Sequence, residues 1–158
     1  DNFWKVFWKG GEPFEHNQDE RSPKLMDLPQ KPGAVYRASV WGMSIPWTLA
    51  VSTLLGLWLM FAPAAFGVSI EASAANINHL GGALIIVVSV IGMGEVVRRG
   101  RYLNVLLGLA VAVVPWFLSD SALALNTSGA LTGLLVAVLA IPRGVVKEKY
   151  GMWDQYVK

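Results

Sequence analysis

The chain has 158 residues, 54% of them hydrophobic and 15% charged, a formal net charge of +2 and a mean hydropathy of +0.46. Soluble domains carry roughly 25% charged residues, so the composition excludes an ordinary soluble domain and indicates an integral membrane protein. The small net charge excludes a global basic field for nucleic acid, and the absence of cysteine excludes disulfides, thiolate metal sites and thiol redox chemistry.

Residues 1–44 hold prolines, charges and few aliphatic side chains and read as an irregular N-terminal arm. Phe3, Trp4, Phe7 and Trp8 recur at i, i+1, i+4 and i+5, with Lys5 and Lys9 on the flank. On a helix they share one face, which suits an anchor at the membrane interface or a dock onto another membrane protein. The stretch that follows, GGEPFEHNQDERSPKLMDLPQKPG, is too polar to fold alone and needs a surface to lie on. Four apolar runs come next, over 45–66, 77–97, 102–118 and 122–141. About 20 helical residues cross a hydrocarbon core of about 30 Å, so each run predicts one membrane span. The tail is 142–158.

All thirteen Lys and Arg residues fall in three places. The arm holds Lys5, Lys9, Arg21, Lys24, Lys31 and Arg37; the second-to-third connection holds Arg98, Arg99 and Arg101; the tail holds Arg143, Lys147, Lys149 and Lys158. The other two connections carry only Glu71 and Asp120. The positive-inside rule therefore predicts both termini and the middle connection in the cytoplasm, and two ends on one side require an even number of spans.

The first and third runs contain the same phrase. LLGLWLMFAP (54–63) and LLGLAVAVVP (106–115) start alike and end in proline, 52 residues apart. NHLGGAL (78–84) then aligns with NTSGAL (126–131), pairing Asn78 with Asn126 across an outer loop about four residues shorter. Glycine, proline and asparagine agree in order, which favours a tandem duplication over chance. The prediction is two parallel two-helix repeats, 45–97 and 98–141, inserted the same way up and related by an axis along the membrane normal. Pro63 and Pro115 fall near the outer helix ends, where a stop costs least. Gly56 and Gly108 predict close helix approach, as do Gly92, Gly94 and the GxxxG formed by Gly129 and Gly133.

Few residues offer chemistry. His79, near the outer end of the second run, is the one candidate ligand for a tetrapyrrole metal or donor to a quinone carbonyl. A histidine at the interface also serves as a plain capping group, and His16 in the arm lies on the opposite side, so a bis-histidine haem within this chain is not expected. Glu95 precedes Arg98 and Arg99 at i+3 and i+4, which predicts a local ion pair at the headgroups. No serine–histidine–aspartate spacing and no phosphate-binding loop occurs.

With GLWLMFAP (56–63), VVPWFLS (113–119), NHLGGAL and NTSGAL, residues 45–141 resemble the SPW-repeat family of bacterial membrane proteins. The resemblance implies paired hydrophobic helices in a bacterial inner membrane. The name-giving tripeptide is altered: Ala62-Pro63-Ala64 stands in the first copy and Val114-Pro115-Trp116 in the second. The closing residues 141–158 are similar to tails of a longer group, some with vitamin K epoxide reductase-like domains, whose chemistry needs the cysteines this chain lacks. The expectation is a non-catalytic accessory or scaffolding subunit, without a resident cofactor, bound to the lipid bilayer and to other membrane subunits such as those of a respiratory or photosynthetic assembly. The alternative is an electron-transfer-associated protein holding a tetrapyrrole or quinone at His79. Small-solute transport is a weaker third idea, because the spans hold no charge at mid-membrane.

Overall fold

Helix formation starts at Pro46, whose ring fixes φ at −65° and whose carbonyl accepts from Leu49 and Ala50 N–H at 3.0 and 3.2 Å. It opens α1, Trp47–Ala65. The computed structural model describes residues 40, 42–118 and 122–146. The chain divides into two units, Asp1–Trp41 and Gly42–Lys158; every helix among the described residues belongs to the second. Phe3, Trp4, Phe7 and Trp8, and the tail from residue 147, lie outside the described residues.

Pro63 removes one backbone donor from the last turn of α1. The helix stops two residues later, where Gly67 takes φ +66° and Val68 N–H turns back to the Pro63 carbonyl at 2.8 Å. A positive φ is open to glycine at no steric cost. The second helix, α2, spans Ser73–Gly92, beginning and ending some four residues earlier than the hydropathy run 77–97. Its first turns, SAANINH, are too polar to register as a span, yet they are helical, with Asn78 folding its Nδ2 back onto the Ala74 carbonyl at 2.9 Å. Residues beyond Gly92 leave the helix to pair with the segment before α1: Met43 bridges Gly94, Ser44 N–H donates to Met93 O at 3.1 Å, and Glu95 N–H to Gly42 O at 2.8 Å.

The third passage is a composite: a 3-10 turn over Arg98–Tyr102, then α3, Leu103–Val113, then a second 3-10 turn over Val114–Phe117 around Pro115. The last helix is α4, Leu123–Leu139. The described residues thus form an all-helical fold of four α-helices. Three passages are long and apolar enough to cross a membrane, Trp47–Ala65, Ser73–Gly92 and Arg98–Phe117. At 17 residues α4 is shorter, about 25 Å at 1.5 Å per residue.

α1 packs along α2, and α3 along α4, in two tight hairpins; α2 against α3 and α1 against α4 close the bundle, and α2 also meets α4 across its diagonal. Glycine sets the hairpin spacing. A Cβ on Gly56 would stand 2.8 Å from Gly82 O, and one on Gly82 would stand 2.5 Å from Gly56 O. Gly108 and Gly133 repeat the arrangement in the second hairpin, each blocked by the other's carbonyl. In lipid there is no hydrophobic gain from bringing apolar helices together, so such backbone approach, and the dispersion it permits, is what binds them. Gly129, also expected at an interface, faces the Asn78 side chain of α2, and a Cβ added there would stand 2.9 Å from Asn78 Oδ1.

These contacts correct the repeat register. Gly56 and Gly108 are 52 residues apart, and their partners Gly82 and Gly133 are 51 apart. Asn78 therefore corresponds to Gly129 and not to Asn126. The same offsets relate Leu59 to Val111 and Ile85 to Val136, and these four residues form one apolar layer, none more than 2% exposed. A second apolar cluster, Ala62, Ala74 and Leu125, lies toward the prolines. On the other side of the layer, Asn104 Nδ2 donates to Ser89 Oγ at 2.8 Å between α3 and α2.

Candidate functional site

The chemistry-bearing side chains gather at the end of the bundle opposite the prolines, the arginine end. A 3-10 turn has three residues per turn, so side chains at i and i+3 eclipse. In Arg98–Tyr102 this sorts the run RRGRY into two faces. Arg98 and Arg101 point inward, each 2% exposed, while Arg99 and Tyr102 point outward. The last four carbonyls of a helix lack intrahelical donors, and a cation there is favoured by the helix dipole. The turn supplies a guanidinium to each of the two helices that end at this level.

Arg98 serves α2. Its Nε donates to Gly92 O at 3.4 Å and its Nη2 to Met93 O at 3.3 Å. The same Nη2 reaches Ser44 O at 3.2 Å and makes a short contact with Ser44 Oγ, while Nη1 donates to Val145 O at 2.8 Å. Ser44 Oγ in turn donates to Val145 O at 3.2 Å. One side chain thus joins the residues before α1, the end of α2 and the residues after α4. Burying a guanidinium is tolerable only when its donors are met, and all three of its nitrogens are used. Arg101 serves α4: Nε donates to Ala140 O at 2.9 Å, and Nη2 to Ile141 O at 3.4 Å and to the Tyr102 hydroxyl at 2.9 Å. Its guanidinium lies 4.6 Å from the Tyr102 ring centroid, and Arg143 hydrogen-bonds the same hydroxyl.

The expected placing of Glu95 and Arg98 at the headgroups is corrected. Glu95 is 1% exposed and Arg98 is buried with it, whereas Arg99 alone lies on the surface. The carbonyls of Gly92 and Met93 at the end of α2 draw Arg98 inward, a demand that sequence spacing does not display. The hydrogen bonds from Arg98 to Ser44 and from Ser44 to Val145 also bring the start of α1, the α2–α3 connection and the exit from α4 to one end.

His79 sits on the second turn of α2 with its residue exposed, away from the arginine end. Among the described residues no group of three or more His, Asp or Glu side chains is placed to hold a metal. Gly56, Gly108 and Gly133 stand at hairpin interfaces, and Gly129 at the α2–α4 contact. Sequence reasoning does not single out Gly82, which completes the first hairpin, or Arg98 and Arg101, which close the bundle end, as packing residues. The usable signal for the arginines is their i, i+3 spacing.

The glycine pair occurs twice and the apolar layer draws matching residues from both halves, at offsets of 52 and 51, and a family model described as the SPW repeat domain matches residues 46–142, well over half of the chain. The chain belongs to the SPW repeat family. Neither a curated protein nor a solved structure matches it. The SPW repeat match begins at the proline that opens α1 and ends just past Ala140 and Ile141, the acceptors of Arg101. Ser44 and Val145, the outermost acceptors of Arg98, lie beyond it.

Proposed function

We propose that this SPW repeat protein is a non-catalytic integral-membrane subunit that crosses a bacterial inner membrane four times. Both ends and the α2–α3 connection then face the cytoplasm, and the helices pack against a larger membrane complex. One observation carries the reading: apolar side chains fill the middle of the bundle interior. Leu59, Ile85, Val111 and Val136 form a dry layer across it, and the buried arginines are committed to helix ends. What remains for recognition is the outside, where large apolar side chains such as Leu54, Phe61, Leu131 and Phe117 are exposed on the helices. The dry layer also disfavours transport, which needs a polar site near mid-membrane. The short α4 is reconciled with a span by the apolar Ala140 and Ile141 at its end and by modest local thinning. Extraction of the native membrane in mild detergent, followed by mass spectrometry, tests the proposal. Stoichiometric membrane-protein partners are the expected outcome; a lone, stable monomer would overturn it.

A second reading keeps His79 as a tetrapyrrole or quinone contact. It is supported by the exposure of His79 on the outside of α2, which puts any such ligand against lipid or a neighbour and outside the bundle. Its test is the absorption spectrum of the extracted complex with His79→Ala; an unchanged spectrum and cofactor content would refute it.

A further inference from the structure

We propose that the outward face of the arginine end is a binding site for the headgroup phosphodiester of an anionic bilayer phospholipid, held by Arg99, Arg143 and the Tyr102 hydroxyl. The proposal rests on the spanning reading above. Three observations carry it.

The first is the donor left over at the Tyr102 hydroxyl. Its hydroxyl oxygen accepts from Arg101 Nη2 at 2.9 Å and is also bonded by Arg143. Guanidinium is donor-only, so neither arginine can take the phenolic proton. That O–H is left to donate to an acceptor outside the two arginines, and Tyr102 is 42% exposed. The second is charge. Among the described residues the acidic side chains are Glu71 and Glu95. Glu95 is buried, and Glu71 lies in the α1–α2 connection at the other end, whereas Arg99 and Arg143 are exposed at this one. The 3-10 turn places Arg99 and Tyr102 on one outward face, and Arg143 joins them through the hydroxyl. The third is position. The cluster lies where the second passage ends and the third begins, the depth at which headgroup phosphates lie when the helices span, and basic groups at helix ends on the cytoplasmic side recruit anionic lipid. A phosphodiester offers one negative charge and two unesterified oxygens. It accepts from the guanidinium forks and the phenol together. Arg101 is a positioning residue, fixed to Ala140 and Ile141 and holding the tyrosine ring beneath its guanidinium.

The test uses the full chain, purified from the membrane fraction and titrated in detergent with phosphatidylglycerol or phosphatidylcholine, with bound lipid counted by native mass spectrometry and stability read as Tm. We expect wild type to retain phosphatidylglycerol at least fivefold better than phosphatidylcholine and to gain Tm with it. Arg99→Gln/Arg143→Gln should lose that preference while keeping the wild-type Tm in phosphatidylcholine. Tyr102→Phe, which changes no charge, should lower phosphatidylglycerol retention two- to threefold, so the proposal remains testable even if the double variant folds poorly. Wild-type retention by both variants would overturn it, and so would equal retention of the two lipids. An equal Tm gain from inorganic phosphate would assign the site to free anions and overturn the lipid as ligand. Release of the chain by alkaline carbonate wash would instead refute the spanning reading, and with it this site.

Discussion

Gly82→Ala and Gly133→Ala should destabilise the bundle by similar amounts, because they stand at equivalent places in the two hairpins. In the first, the new methyl would meet Gly56 O at 2.5 Å, Leu59 Cβ at 3.0 Å and Met60 Cγ at 3.0 Å. An ordinary contact begins near 3.4 Å, so α1 and α2 must part by about 0.9 Å. A gap of 0.5–1 Å forfeits a quarter to a half of each dispersion well it opens, and overpacking of this kind costs about 1–3 kcal/mol. Alanine recovers up to about 1 kcal/mol as the better helix former. With the full propensity gain the net loss is about 0–2 kcal/mol, a factor of up to about 30 in the folding equilibrium; against Gly100→Ala, which shares that gain, it is about 1–3 kcal/mol. Gly133→Ala meets Gly108 O, Ala112 N at 3.1 Å and Ala112 Cβ at 3.3 Å and should fall in the same range. The two sites share no contacting residue among these neighbours, so the double variant should sum the single effects to within about 0.5 kcal/mol. Gly100→Ala is the control, since a Cβ there meets nothing within 4 Å. Reversible unfolding in mixed detergent micelles gives all four values. If Gly82→Ala and Gly133→Ala unfold with the midpoint of Gly100→Ala, the account of the hairpins as glycine-spaced is wrong.

Arg98→Met strips the side-chain donor from the Gly92 and Ser44 carbonyls and leaves the Met93 and Val145 carbonyls with only their bonds from Ser44. With each buried orphan costing about 1–3 kcal/mol, the loss should exceed that of either glycine variant, and hydrogen exchange should rise in 42–46 and 140–146. Protection unchanged in those segments would show that Arg98 does not tie them. Ile85→Ala opens a cavity in the dry layer and should cost about 2–5 kcal/mol, measured by the same micelle unfolding. A loss below about 1 kcal/mol would mean the layer is loosely packed. Asn104→Ala removes the bond to Ser89 at 2.8 Å and should cost about 1 kcal/mol, partly offset because the Asn104 Oδ1, buried without a partner, goes with it; Ser89→Ala should cost more, since it strands the Asn104 amide as well.

The helices were legible because uninterrupted apolar runs need only length and composition to be recognised. Gly56 and Gly108 were legible because they stand inside a repeated phrase. Their partners were not. NHLGGAL and NTSGAL share enough letters to pair Asn78 with Asn126, whereas the contacts require a register shifted by three residues. On a helix three residues turn the side chain to within about 60° of where it began, so the shifted pattern still reads as one apolar face. Only the interlocking of Gly56 with Gly82 and of Gly108 with Gly133 resolves it. The arginine end was hidden for another reason. A run of three arginines in four residues reads as a solvated connection, and the demand that pulls two of them inward comes from carbonyls of Gly92 and Ala140, which every sequence possesses and none displays.

The two halves also differ where symmetry would forbid a shared solution. By the 52-residue offset Leu49 in α1 corresponds to Arg101, and both flank Gly92, whose added Cβ would lie 3.2 Å from Leu49 Cδ1 and 3.7 Å from Arg101 Cβ. Two helix ends, those of α2 and α4, need cationic caps at this end of the bundle. The chain passes it only once as an internal connection; its other two visits are the approach to α1 and the exit from α4. The connection lies between the two helix ends in the sequence and can reach both, so Arg98 caps the helix behind it and Arg101 the helix ahead. A second arginine at position 49 would face the same carbonyls already bonded by the first pair and would be buried without acceptors, at the cost of an unpaired charge. Leucine there leaves the cap single and the interface dry. Duplication thus preserves glycine, where both hairpins need the same spacing, and departs from identity where a single connection serves both.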